Sequence, residues 1–124
     1  GDHFVLNGQK IWTTFGPWAD WIFVLARTDG KDRYGGISFI LCPLKTPGVE
    51  VRSLRQITGE SEFGEVFFED ARVPREHLVG QIGGGWRIAM TVLAYERGAM
   101  SLAAEVLKPL ALAMNSINGT APTR

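Results

Sequence analysis

The chain has 124 residues, 45% of them hydrophobic and 21% charged, with 13 Lys and Arg against 13 Asp and Glu. That length carries one domain with a real core, and a formal charge of zero removes the long-range attraction that nucleic acid or an anionic membrane would need. A single cysteine, Cys42, excludes an intrachain disulfide and fits a reducing compartment, and no apolar run reaches the roughly 20 residues of a membrane span.

The first stretch, Phe4 to Thr14, alternates apolar and polar residues on either side of Asn7-Gly8. That dipeptide predicts a type I′ hairpin turn, because both of its central positions need positive φ. On the return strand strict alternation puts Lys10, Trp12 and Thr14 on one face. An indole and a hydroxyl two residues apart suit a planar heteroaromatic ring, although aromatic residues in strands usually serve packing.

Gly16-Pro17 breaks the strand, and residues 20–28 then form a strand expected to be buried on both faces. A polar hairpin loop at 29–33 leads to a strand over 36–42, stopped by Pro43. Thr46-Pro47-Gly48 is a turn, residues 49–54 alternate as a half-exposed strand, and Thr58–Ser61 is a loop. Residues 65–70 are the last clear strand, and Val73–Leu78 should turn the chain out of the sheet. Six short strands with turns between them indicate an antiparallel barrel or sandwich.

At Gly83-Gly84-Gly85 the composition changes, and helix formers dominate from Trp86 to about Asn115. Two apolar rows at spacings of three and four cover more than half the helix circumference, which is more than a small barrel can bury. Pro109 predicts a break near Val106. The expected division is 1–80 and 81–124. Both ends, Gly1 and the turn-rich tail after Asn118, are expected to be cut from something longer.

The run Gly80–Gly85 matches no phosphate-loop spacing and reads as a flexible joint. His3 and His77 stand alone, so no metal is expected, and Cys42 reads as a small core residue. Glu96-Arg97 lies on the apolar helix beside Gly98. A helix-interior glycine suggests close approach of a backbone or ligand, and partial desolvation would suit Glu96 to act as a general base. A pair of solvent-facing charges is the competing interpretation.

Six segments, in order and over nearly the whole chain, resemble acyl-CoA dehydrogenases: residues 4–14, 19–28, 36–41, Thr46-Pro47-Gly48-Val49, 65–74 and 84–90. The resemblance implies a mainly β chain, an antiparallel barrel of the middle-domain type, followed by a long helix from an incomplete C-terminal helical domain. It implies FAD, with Trp12 beside the isoalloxazine, Thr14 bonding near N5 and the Thr13 backbone contributing. It implies α,β-dehydrogenation of an acyl-CoA substrate, with Glu96 as base and Tyr95 and Arg97 lining the substrate pocket. The aspartate often found two residues before that glutamate is Ala94 here, which changes the expected pantetheine contacts.

Electron-transferring flavoprotein as electron acceptor and a homo-oligomeric parent also follow from the resemblance, in the bacterial cytoplasm or mitochondrial matrix. The chain alone is expected to bind FAD weakly or not at all and to be inactive. The alternatives are a flavin monooxygenase, acyl-CoA oxidase or nitroalkane oxidase of the same fold, and a non-catalytic barrel that self-associates through its helix.

Overall fold

A computed structural model describes residues 1–30 and 32–98; the expected break near Val106 lies outside them. The order is β1 (His3–Thr14), β2 (Trp21–Arg27), β3 (Ile37–Pro43), β4 (Val49–Leu54), β5 (Phe63–Pro74) and β6 (Leu78–Val79). Helix α1 is described over residues 85–98. The chain divides into two compact units, Gly1–Ile88 and a second that begins at Ala89.

The strands form two three-stranded antiparallel sheets, β1-β5-β4 and β2-β3-β6, and no hydrogen-bonded ring closes into a barrel among the described residues. Their inner faces share one core, with Leu6, Val66, Phe68, Ala71 and Val73 from the first sheet and Val24, Ile40 and Cys42 from the second. Each is apolar and sits where the strand period turns it inward. Cys42 is fully buried, as the sequence predicts, and burial pushes its thiol pKa up.

Asn7-Gly8 is not a hairpin turn. β1 runs through it as one 12-residue strand along the 12-residue β5. Only Gly8 takes positive φ, at 134°, whereas a type I′ turn requires it of both residues. The register jumps from Leu6↔Ala71 to Gly8↔Phe68, so Asn7 faces two residues of β5, Glu69 and Asp70. This bulge resets the pleat: β5 buries Gly64, Val66 and Phe68 before it, then Ala71 and Val73 after it. Without the extra residue Ala71 and Val73 would face water.

β2 is not buried on both faces. Ile22, Val24 and Ala26 point to the core, while Trp21 and Phe23 are exposed on the other face, where Phe23 stacks on Phe39 with ring centroids 4.9 Å apart. The free edges of β1 and β2 border a cleft of about 380 Å³ lined by residues 4–10 and 24–28. The Lys10 ammonium donates across it to the Leu25 carbonyl at 3.2 Å.

The glycine run before α1 is pinned rather than loose. Ser38, the one buried polar residue among those described, accepts a hydrogen bond from the Gly83 amide at 2.9 Å and lies 2.8 Å from the Thr28 hydroxyl. Gly85 lies so close to β3 that an added Cβ would stand 2.5 Å from the Ser38 carbonyl carbon. Only hydrogen fits there, so at this point the glycine serves packing rather than flexibility.

Candidate functional site at the end of strand β1

The last third of β1 breaks the regular pleat a second time. The register passes from Lys10↔Val66 to Thr13↔Gly64, so β1 carries one extra residue between them. The backbone absorbs it at Trp12, which takes φ 60°, a left-handed conformation rare for a bulky side chain. Three residues on, Phe15 does the same at φ 55°. Each such residue costs about 1–3 kcal/mol and persists only where its surroundings enforce it.

The enforcing contacts are local. The Phe15 amide donates to the Glu62 carbonyl at 2.7 Å, and the Phe15 carbonyl accepts from the Trp18 and Ala19 amides, each at 3.0 Å. This closes a 3₁₀ turn over Gly16–Trp18. Gly16 is buried against Thr13, where a Cβ would come 3.3 Å from the threonine Cβ. Gly64, on the facing strand, is tightly covered by Pro17 and Val51, which would stand 3.1 and 3.3 Å from an added Cβ.

The extra residue also corrects the expected facing. Lys10 and Thr13 pair with Val66 and Gly64 and therefore share the inner face, whereas Thr14 pairs with Phe63 on the outer one. Lys10 and Thr14 do not share a face. Trp12 and Thr14 each adjoin Phe63: Thr14 is its partner across the strands, and the Phe63 ring meets the indole in a T-shaped contact at 5.9 Å. The indole is 63% exposed and the Thr14 residue is exposed. Phe15 and Trp18, 56% and 64% exposed, form a second aromatic pair with ring centroids 6.0 Å apart. Phe63, Phe15 and Trp18 escape the sequence reading; the aromatic residue that opens β5 opposite Thr14 was the available signal for the first.

The other expected site residues belong to the second unit. Tyr95, Glu96 and Arg97 lie on α1 and all three are exposed, Tyr95 at 78%. The desolvation expected of Glu96 is therefore not supplied within the described residues. A Cβ on Gly98 would meet nothing within 4 Å among them, so the expected close approach is not made there either. His3 is held between the Asp2 carboxylate at 2.6 Å and the Arg72 guanidinium at 2.8 Å, and the ring of His77 lies 5.2 Å from Trp21.

Residues 1–71 match the family model for the acyl-CoA dehydrogenase middle domain. The chain is 51% identical over 105 residues to the acyl-CoA dehydrogenase IpdE1 of Mycolicibacterium smegmatis, covering 84% of this chain and 27% of that protein. It is 38% identical over 109 residues to the mitochondrial short-chain specific acyl-CoA dehydrogenase of Rattus norvegicus, covering 86% and 26%. Among solved structures, an acyl-CoA dehydrogenase from Geobacillus kaustophilus superposes with a TM-score of 0.78 at 31% identity, covering 100% of this chain and 34% of that one. The chain thus spans about a quarter of the length of the curated relatives it matches. With a middle-domain match over more than half its residues, two antiparallel sheets and a following helix, the chain belongs to the acyl-CoA dehydrogenase family.

Proposed function

We propose that the chain supplies one wall of the flavin site in an FAD-dependent acyl-CoA dehydrogenase, which introduces a double bond between the α and β carbons of an acyl-CoA thioester. The observation that carries this reading is the pair of left-handed aromatic residues flanking Thr13 and Thr14, with the Trp12 indole left 63% exposed. Holding a bulky residue at positive φ and leaving its ring in water are both unfavourable. A planar heteroaromatic ring laid against the indole recovers the apolar area, and the Thr14 hydroxyl nearby offers a hydrogen-bond donor. The residues present therefore fit an isoalloxazine.

On this reading Trp12 orients the ring system, Thr14 donates a hydrogen bond close to N5, and the Thr13 main chain contributes. FAD, when bound, supplies the hydride acceptor for the β-hydrogen. The Glu96 carboxylate removes the α-proton, and Tyr95 and Arg97 line the acyl-CoA pocket. Electron-transferring flavoprotein reoxidises the enzyme, which assembles as a homo-oligomer in the bacterial cytoplasm or mitochondrial matrix; the unpaired, buried Cys42 suits such a reducing compartment.

Anaerobic mixing of the full-length protein with acyl-CoA thioesters tests the proposal through bleaching of the flavin. Glu96→Gln is expected to slow that bleaching by about 10²–10⁴-fold with flavin content unchanged. Bleaching at the parent rate would move the base elsewhere. Full flavin retention with an unaltered spectrum in Trp12→Ala would remove the wall. Rapid reoxidation of the bleached enzyme by air would instead favour an oxidase.

A further inference from the structure

The dipeptide Asn7-Gly8 has no part in the flavin reading, and its environment gives it another property. Asn followed by Gly is the pairing most prone to succinimide chemistry, because a glycine nitrogen carries no neighbouring side chain to hinder attack on the asparagine amide. Asn7 is exposed, Gly8 is exposed, and an added Cβ at Gly8 would meet nothing within 4 Å. Among the described residues the carboxamide is restrained by the bulge of β5. Its Nδ2 donates to the Asp70 carboxylate at 3.0 Å, and its Oδ1 accepts from the Asp70 amide at 2.9 Å. Asp70 itself stands at φ 49°.

We propose that Asn7 is a deamidation site, held unreactive by its two-point clamp to Asp70 and released when that clamp opens. In the clamped state the carboxamide reaches across to β5 and away from the backbone of its own strand. When it swings free, the Gly8 nitrogen bonds to Asn7 Cγ, the Cγ–Nδ2 bond breaks, and ammonia leaves carrying the proton given up by Gly8. Water then opens the succinimide at either carbonyl, giving aspartate or isoaspartate; the net change is gain of water and loss of ammonia. No oxidant or second substrate is needed.

The product cannot restore the clamp. An ionised aspartate at position 7 has no hydrogen to donate to Asp70, so two carboxylates face each other where a donor met an acceptor. An isoaspartate adds a backbone atom to β1 and shifts its register against β5. Since this bulge keeps Ala71 and Val73 in the core, the lesion acts on the packing of the first sheet.

Incubation of the purified protein in mildly alkaline buffer, followed by peptide mapping by mass spectrometry, reads the site directly. The expected result is slow conversion at Asn7 in the folded protein and conversion at least about tenfold faster in urea, where both bonds of the clamp are lost. A smaller acceleration is expected in Asp70→Ala, which loses the carboxylate acceptor but keeps the main-chain amide donor. Equal rates in the folded and urea-unfolded protein would overturn the proposal. If Asp70→Ala does not fold, Asn7→Asp, which reproduces the aspartate product, serves in its place. It is expected to lower the urea midpoint and to speed hydrogen exchange at the Asp70 amide at neutral pH; parent-like values of both would overturn the clamp's role.

Discussion

β1 breaks the pleat twice, and the two breaks are built in opposite ways. At Asn7 the surplus residue lies on the partner strand, and a carboxamide meets both polar groups of the left-handed Asp70. At Trp12 the surplus residue lies on β1 itself, and the left-handed position carries an indole that meets the edge of the Phe63 ring. The first break satisfies itself with polar groups and keeps the core in phase. The second leaves backbone strain and exposed apolar area together, the combination on which the proposed flavin wall rests.

The sharpest way to break this contrast is Asn7→Leu. Loss of both hydrogen bonds to Asp70 is expected to lower stability by about 1–2 kcal/mol in urea unfolding, with protection lost across Glu69–Ala71 in hydrogen exchange. Trp12→Gly is expected to do the reverse. Relief of the strained φ offsets the lost ring contact and the added freedom of glycine, so stability should stay within about 1 kcal/mol of the parent. Flavin retention by the full-length protein should nonetheless collapse. A Trp12→Gly protein that lost stability and kept its flavin would make the second break structural, like the first.

The smallest effect belongs to a polar contact made within one strand. Arg52 donates to Glu50 at 2.8 and 3.0 Å and holds its carboxyl below the ordinary carboxylate range. The folded pKa therefore lies under the unfolded one. The stabilisation is present above the unfolded value and disappears as pH falls through the folded value. Both side chains are exposed, so acid unfolding of Glu50→Gln, which leaves Arg52 over the Phe67 ring, should differ only slightly from the parent and merge with it at low pH.

Much of the fold was legible because local chemistry and tertiary placement agree. The β2–β3 hairpin, the turn with Gly48 at φ 85°, the alternation of β4 and the burial of Cys42 all follow from short-range rules. Asn7-Gly8 misled because a turn signal is local, whereas β5 is long enough to pair both halves of β1 and no hairpin is needed. The hint lay across the sheet, in the two adjacent charges Glu69-Asp70, which interrupt the alternation of β5. β2 misled because an apolar run does not distinguish a face in the core from one left bare, as with Trp21 and Phe23.

For the site, the residue types were legible and the geometry was not. Trp12, Thr13 and Thr14 were identifiable as a group, but strict alternation aligned Lys10 with Thr14, and nothing local in the sequence marks a tryptophan at positive φ. The pinned joint was hidden for the same reason. Glycines that look flexible in isolation are fixed by the Ser38 hydroxyl some 45 residues away in sequence.

Among the described residues no strand pairs with the edges of β1 and β2 that face the cleft, and an unpaired edge is the condition under which strands recruit one another into growing fibrils. Lys10 stands at that opening as a gatekeeper. Its charge points inward along a strand edge and already occupies the Leu25 carbonyl, so an incoming strand must displace and desolvate an ammonium before it can take hold.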